Sequence, residues 1–369
     1  MKIVYSHYSF QYSGIDGFAA RLFQLLSRET TVDWEIVTTH IPDQYAHEVQ
    51  QWGTIHSAPE GLEAYSTFLC ERIHNADLLI ATSPYDLFAA RTIAPKMPIW
   101  FWAHGVTPVW NWMCRLCQTL DVTLFHINPQ LARNFHCSAG RHWVPRYDLQ
   151  KHSQTCLELL YFGRLDWVNK RCHWGLQLIK AIQKTGLDIR LDYVGSGPGE
   201  AALREKIHKM HLGNQVRLLP PVSPFGDQSW MGRYHHILSF SKLECTPLGV
   251  LEGVSQGLLP IYTPVPFRAF DYLADAPLEL GPSPKIAAMV ALISAHWTAG
   301  TTRTPDQYGP LAQHFQTRFS PEQAISELRP FLLKLQARKP DSGAFDSLWS
   351  ANCVKFGFRK SRQTSLFSR

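Results

Sequence analysis

The sequence has no stretch approaching the ~20 apolar residues that a helix needs to cross a bilayer, which argues against a helical membrane protein. Its first residues, Met1-Lys2-Ile3-Val4-Tyr5-Ser6-His7, read as a strand with no extended apolar leader, so the expected compartment is the cytosol. The eight cysteines, at positions 70, 114, 117, 137, 156, 172, 245 and 353, form no regular framework in a chain of 369 residues, and reduced thiols are expected. Cys114-Arg115-Leu116-Cys117 has metal or redox spacing, but no second cysteine pair or nearby histidine pair completes a tetrahedral set. It is read as a coincidence of helical spacing. Zinc-finger, RNA-recognition and helix-turn-helix patterns are missing, so a formal charge of +6 is not taken as a sign of nucleic acid. That charge favours anionic ligands in general: sugar nucleotides, acidic glycans or the inner face of a membrane. There is no aspartate-rich metal motif, internal repeat or low-complexity tract.

With 45% hydrophobic and 18% charged residues the chain is globular, and its length suits two domains. Its first half reads as repeated strand–helix units, the mark of a parallel sheet. Strands are expected at Lys2 to Ser6, Trp34 to Thr38, Asp77 to Thr82, Ile99 to Ala103 and Val122 to His126. Helices are expected at Gly17 to Arg28, where Phe18, Leu22, Leu25 and Leu26 share a face, at Gly61 to His74 and at Tyr85 to Ala94. A polar stretch around Pro145 to Thr155 divides the chain into residues 1–150 and 151–319. Ser320-Pro321-Glu322 then starts a helix, 320–336, with apolar residues at helical spacing to Leu335. In the tail, 337–369, seven Lys and Arg face two Asp, with Trp349, Phe356, Phe358 and Phe367 interleaved. Such a tail either seats at an anionic membrane surface or is loosely packed, and composition supports both.

Glu244 and Glu252 bracket a turn between a short apolar strand, His236 to Phe240, and a helix ending near Gly257. In a parallel sheet ligands bind at such turns. The first carboxylate is expected on the loop and the second on the first helical turn, with the backbone N–H groups of Leu248, Gly249 and Val250 between them to hold an anion. Pro247 offers no N–H. A sugar nucleotide suits this turn: its diphosphate needs N–H donors and positive charge, and its ribose and hexose hydroxyls need carboxylate acceptors.

Upstream, Leu159 to Phe162 reads as a buried strand closed by Gly163-Arg164-Leu165, followed by Lys170 and Arg171. Leu187 to Val194 reads as another, ending in Gly195-Ser196-Gly197-Pro198-Gly199-Glu200, where glycines allow close approach to a ligand. Glu200 stands where a dinucleotide fingerprint requires a third glycine, which weighs against a dehydrogenase. Ile99 to Ala103 leads to His104 and Gly105, a histidine at a strand end. Ser13-Gly14-Ile15-Asp16-Gly17 joins the first strand to the first helix, and Asp16 is either an acceptor contact or, more simply, a helix-start residue. Tyr8, Phe10, Tyr12, Trp110 and Trp112 lie close in sequence to these loops; such aromatics suit a sugar ring or a lipid-linked acceptor but are more commonly core.

From Leu157 to Pro264 the order of these pieces resembles the retaining glycosyltransferases of family 4. The two glutamates match their glutamate, seven residues, glutamate signature; Gly163-Arg164-Leu165 with Lys170, and Val194-Gly195-Ser196-Gly197-Pro198, match their donor loops. The resemblance implies an α/β fold of two Rossmann-like domains facing a cleft (GT-B). It implies transfer of a hexosyl unit from a nucleoside diphosphate sugar to a hydroxyl acceptor on a glycan, a lipid or a small molecule, with the anomeric configuration kept and no metal or other cofactor. By the same resemblance Arg164 and Lys170 grip the diphosphate, Gly195 and Gly197 line the donor, Glu252 takes the ribose, Glu244 and His104 serve the transferred sugar, and Gly14 and Gly17 lie between diphosphate and acceptor. The helix 320–336 is implied to cross back toward the first domain. The sequence departs from the family in lacking adjacent glycines at 14–17, in having Arg171 after Lys170, and in having Pro247 where a glycine is usual. A sugar-nucleotide-binding subunit without catalysis is the alternative, and an epimerase or phosphorylase of the same fold ranks lower.

Overall fold

The computed structural model describes residues 1–10, 13–140, 142–149, 156–224, 226–266, 286–297 and 305–337. The basic aromatic tail, apart from Ala337, and Tyr12 lie outside the described residues.

The first lobe runs β1 (Lys2–Ser6), α1 (Gly14–Glu29), β2 (Asp33–Thr38), α2 (Asp43–Gln50), β3 (Gly53–Ser57), α3 (Leu62–Ile73), β4 (Leu78–Ala81), α4 (Pro84–Ile93), β5 (Ile99–Ala103), α5 (Pro108–Thr119), β6 (Thr123–His126), α6 (Pro129–Asn134) and β7 (Ser138–Ala139). The second runs β8 (Leu157–Phe162), α7 (Trp174–Ile182), β9 (Ile189–Val194), α8 (Glu200–Lys209), β10 (Val216–Leu219), β11 (His236–Ser239), α9 (Leu248–Ser255), β12 (Leu259–Tyr262), α10 (Ile286–His296), α11 (Pro305–Arg318) and α12 (Pro321–Gln336).

Each lobe is a parallel sheet with helices on its faces. The first has strand order β3-β2-β1-β4-β5-β6-β7 and the second β10-β9-β8-β11-β12. Strands covered on both faces must be apolar throughout, and β4 (LLIA) and β5 (IWFWA) are buried at every position. β3 and β10 are edges, partly exposed, and carry no such run. In both sheets the order reverses beside the first strand of the lobe, between β1 and β4 and between β8 and β11. Chains leaving neighbouring strands there run to opposite faces, which opens a crevice at the carboxyl ends.

Local chemistry fixes the helix starts around that crevice. Ser13 accepts the N–H of Asp16 at 3.4 Å and the Asp16 carboxylate accepts the N–H of Ser13 at 2.7 Å, closing a capping box on α1. Asp16 also meets His7 Nε2 at 3.0 Å. Ser320 caps α12 by accepting from the N–H of Gln323 at 3.1 Å. Although α12 is the last described helix, its Ala324, Ile325, Leu328 and Leu332 are buried in one cluster with Phe18, Leu22 and Leu26 of α1 and Trp100 of β5. Phe331 packs edge-on to Phe125 at 5.0 Å.

Candidate functional site

The loops after β8 and β11 leave the second sheet at its reversal and meet through one ion pair. Lys170 donates to Glu244, and the same carboxylate oxygen, Oε1, accepts from Ser241 Oγ at 2.6 Å. Arg171, the neighbouring cation, is turned elsewhere: its guanidinium lies 4.5 Å from the Trp174 ring centre and donates to the Ser241 carbonyl at 3.3 Å. Lys170 is therefore the cation that faces the acid. Arg164 projects with 59% of its side chain exposed and, among the described residues, is tethered to Asp166 at 2.8 Å.

The second acid stands deeper than expected. Because α9 begins at Leu248 with Pro247 as its N-cap, Glu252 falls on the second turn and not the first. The predicted trio of amides also shortens. Val250 already donates its N–H to the Pro247 carbonyl at 3.1 Å, as does Leu251 at 3.2 Å, which leaves the N–H groups of Leu248 and Gly249 unused by the helix. Gly249 sits against the end of β8: a Cβ there would lie 2.9 Å from Phe162 Cδ1.

Gly195 and Gly197, the glycines expected to line the donor, pack against the loop after β8. Both adopt positive φ, +146° and +151°, and a Cβ on them would lie 2.1 Å from the Gly163 carbonyl oxygen and 2.6 Å from the Leu165 carbonyl oxygen. The loop after β9 thus stacks backbone to backbone on the loop after β8, joined by the Leu165 N–H to the Ser196 carbonyl at 2.8 Å. Their glycines serve the shape of the Arg164 loop before any ligand. Gly195→Ala is expected to destabilise the second lobe by roughly 3 kcal/mol or more, through forbidden φ and overlap with backbone that cannot move aside, as measured by urea unfolding.

The first lobe closes over α9 at several points. A Cβ on Gly17 would come within 3.0 Å of Leu248 Cδ2 and 3.6 Å of Pro224 Cβ, so α1 passes close only because residue 17 has no side chain. Gly14 opens α1 and, among the described residues, has nothing within 4 Å of its Cβ position. Asn128 Nδ2 donates to the Cys245 carbonyl at 3.0 Å, Thr246 Oγ1 to the Ile127 carbonyl at 3.3 Å, and Ser223 to Glu48. Glu252 is paired with Arg21 of α1, their side chains 5% and 6% exposed. Burial raises the Glu252 carboxyl above its ordinary range, against the pull of Arg21.

His104 follows β5 and packs edge-on to Phe18 of α1, ring centres 4.7 Å apart. Its Nε2 is buried and has no hydrogen-bond partner among the described residues. Burial, reinforced by His142, His126 and His7, lowers its pKa well below the usual histidine value, so the ring is neutral. His142 (pushed down to about 3) and His126 (about 4) are held neutral by the same cause. The His126 Nδ1 accepts the Asn128 N–H at 3.1 Å, which places the proton on Nε2.

Sequence reasoning missed Arg21, whose place on α1 looks like a charge on an amphipathic helix, and Ser241, which carries no motif. It also missed the partners of the histidine group. Cys114 and Cys117 are buried free thiols, Cys114 raised by burial to about 12, and no cluster of three metal-ligating side chains occurs among the described residues. No described helix is long and apolar enough to cross a membrane.

Residues 157–277 match the family model for glycosyl transferases group 1. No curated protein sequence matches the chain. Among solved structures, a glycosyltransferase from Rickettsia africae ESF-5 superposes with a TM-score of 0.67 at 12% identity, covering 92% of this chain and 99% of that one. HepE from Anabaena, in complex with UDP and glucose, gives 0.66 at 13% identity over 92% and 100%. The pneumococcal O-GlcNAc transferase GtfA, in complex with UDP and GlcNAc, gives 0.64 at 12% over 92% and 99%. At such identities the likeness is one of fold: two Rossmann-like lobes in the GT-B arrangement.

Proposed function

We propose that this chain, a GT-B protein whose second lobe carries the group 1 glycosyltransferase domain over residues 157–277, is a retaining hexosyltransferase. Its donor is a nucleoside diphosphate sugar and its acceptor a hydroxyl on a glycan, a lipid-linked sugar or a small molecule. The observation that carries this reading is the meeting of Lys170, Glu244 and the first turn of α9 at the reversal point of the second sheet. UDP with a sugar in HepE and in GtfA makes uridine nucleotides the first to try.

In this mechanism the bond from the anomeric carbon to the diphosphate oxygen breaks while the acceptor oxygen bonds to that carbon on the same face, and the acceptor hydroxyl gives its proton to the departing diphosphate oxygen. Lys170, Arg164 and the free amides of Leu248 and Gly249 take up the charge that develops on the leaving diphosphate. No metal is assigned, since these groups supply the neutralising charge. Glu244 accepts from hydroxyls of the transferred sugar, and neutral His104 offers a ring nitrogen to the same sugar from the opposite lobe. Glu252 accepts from the ribose. We place the enzyme in the cytoplasm, with the basic aromatic tail as the segment that would bring it to an anionic membrane face.

A thermal-shift screen of UDP, GDP, ADP and their sugars tests the donor assignment. A ligand at a hundredfold excess over its Kd adds about 2.7 kcal/mol to stability. With Glu252→Gln, loss of a charged ribose contact worth about 2 kcal/mol would cut that gain to below about 1 kcal/mol. An unchanged gain in Glu252→Gln would remove Glu252 from the ribose. Slow donor hydrolysis without acceptor separates an enzyme from a subunit that only binds.

A further inference from the structure

The donor site as read so far draws all its cations from the second lobe, yet the cation bonded to the Glu252 carboxylate belongs to the first. Arg21 reaches across from α1 and gives Nη2 to Glu252 Oε1. Its other terminal nitrogen, Nη1, is buried and has no partner among the described residues. Nη1 lies 3.8 Å from the position a Cβ would take on Gly17, the same position that comes within 3.0 Å of the Leu248 side chain. An unsatisfied guanidinium N–H therefore sits where the first turn of α1 meets the first turn of α9. Leaving such a charged donor unmade inside a protein is costly unless a ligand takes it up.

We propose that Arg21 belongs to the donor site, orienting the Glu252 carboxylate through Nη2 and offering Nη1 to the diphosphate, so that one side chain reads both ends of the nucleotide from the first lobe. The planar fork of arginine suits two acceptors at once, a carboxylate oxygen and a phosphate oxygen, in a way a lysine ammonium on one axis does not. It also couples affinity to closure, because Arg21 can reach Glu252 only while the lobes are together. This inference rests on the donor reading given above.

Isothermal titration with uridine, UDP, GDP and ADP on the full chain tests it. Failure of all four to bind the unaltered protein would sink the donor reading itself, and this inference with it. Where a diphosphate binds, Arg21→Gln is expected to weaken it about 10- to 100-fold, by loss of a charge-assisted contact and a misoriented Glu252. Uridine, having no phosphate, should lose less. Arg21→Lys, which keeps the charge and guards against misfolding, should recover only part of the loss. Arg329→Gln, which removes a peripheral pair with Glu29 at 3.1 Å, should leave affinity unchanged. In a cycle with Glu252→Gln the combined loss should be less than the sum of the two, since both variants break the Arg21–Glu252 tie and only Arg21→Gln also removes the phosphate contact. A merely structural tie would lower the melting temperature of Arg21→Gln while its folded fraction bound the diphosphate as the parent does, and that result would overturn the proposal.

Discussion

Glu244→Ala is expected to reduce sugar transfer by about 10²–10³-fold while nucleoside diphosphate affinity holds or rises, the magnitude typical of losing one preorganised polar group at a reacting centre. The direction of the second effect comes from the ion pair. Glu244 neutralises Lys170 and is itself only 11% exposed, so removing it frees the ammonium for the diphosphate. A variant that merely disrupted the loop would lose both functions together. Steady-state transfer, read beside calorimetric Kd for UDP, distinguishes the cases. Normal turnover in Glu244→Ala would take this residue out of the reaction.

Acidification should destabilise the first lobe strongly. His142 and His126 have folded pKa values of about 3 and about 4 against an ordinary 6.5, lowered by burial. The fold thus prefers the neutral rings. The stability this confers is complete above pH 6.5 and drains away as pH falls toward the folded values. Between pH 7.5 and 5 each ring gives up about 2 kcal/mol, about 4 for the two, out of the 5–15 typical of a domain. Asp86 works the other way: burial raises it to about 6, so its unfavourable ionisation eases as pH falls, returning about 1 kcal/mol. Urea unfolding at the two pH values measures the balance, and His142→Phe should flatten the pH dependence by about 2 kcal/mol. Equal stability of the parent at pH 7.5 and 5 would contradict the burial assigned to these rings.

The strands that order the fold could be read because they are covered on both faces. β5 and the Leu159 to Phe162 part of β8 are apolar runs bounded by turn residues, and their limits fall close to those expected. β3 (GTIHS) and β10 (VRLL) could not be, since short edge strands with half-exposed side chains carry no periodic signal. The same division holds at the site. Lys170 and Glu244 announce themselves by spacing, and the structure pairs them. Arg21 does not, because its partner lies 231 positions away and only the closure of one lobe on the other makes it more than a helix charge. Gly195 was identifiable as a glycine the chain needs, but its neighbour, the Gly163 carbonyl, is set by how two loops stack.

The path of α12 has a consequence for how the protein is made. Ala324, Ile325, Leu328 and Leu332 complete the hydrophobic core around α1 and β5, elements synthesised some 200 residues and more earlier. A ribosome therefore releases the second lobe's sheet before the first lobe has its final wall, and the earliest part of the chain waits, with apolar surface uncovered, for the latest. Cutting the gene at the boundary between the sheets would yield no independent N-terminal half, because the helix that finishes it is encoded after the second sheet.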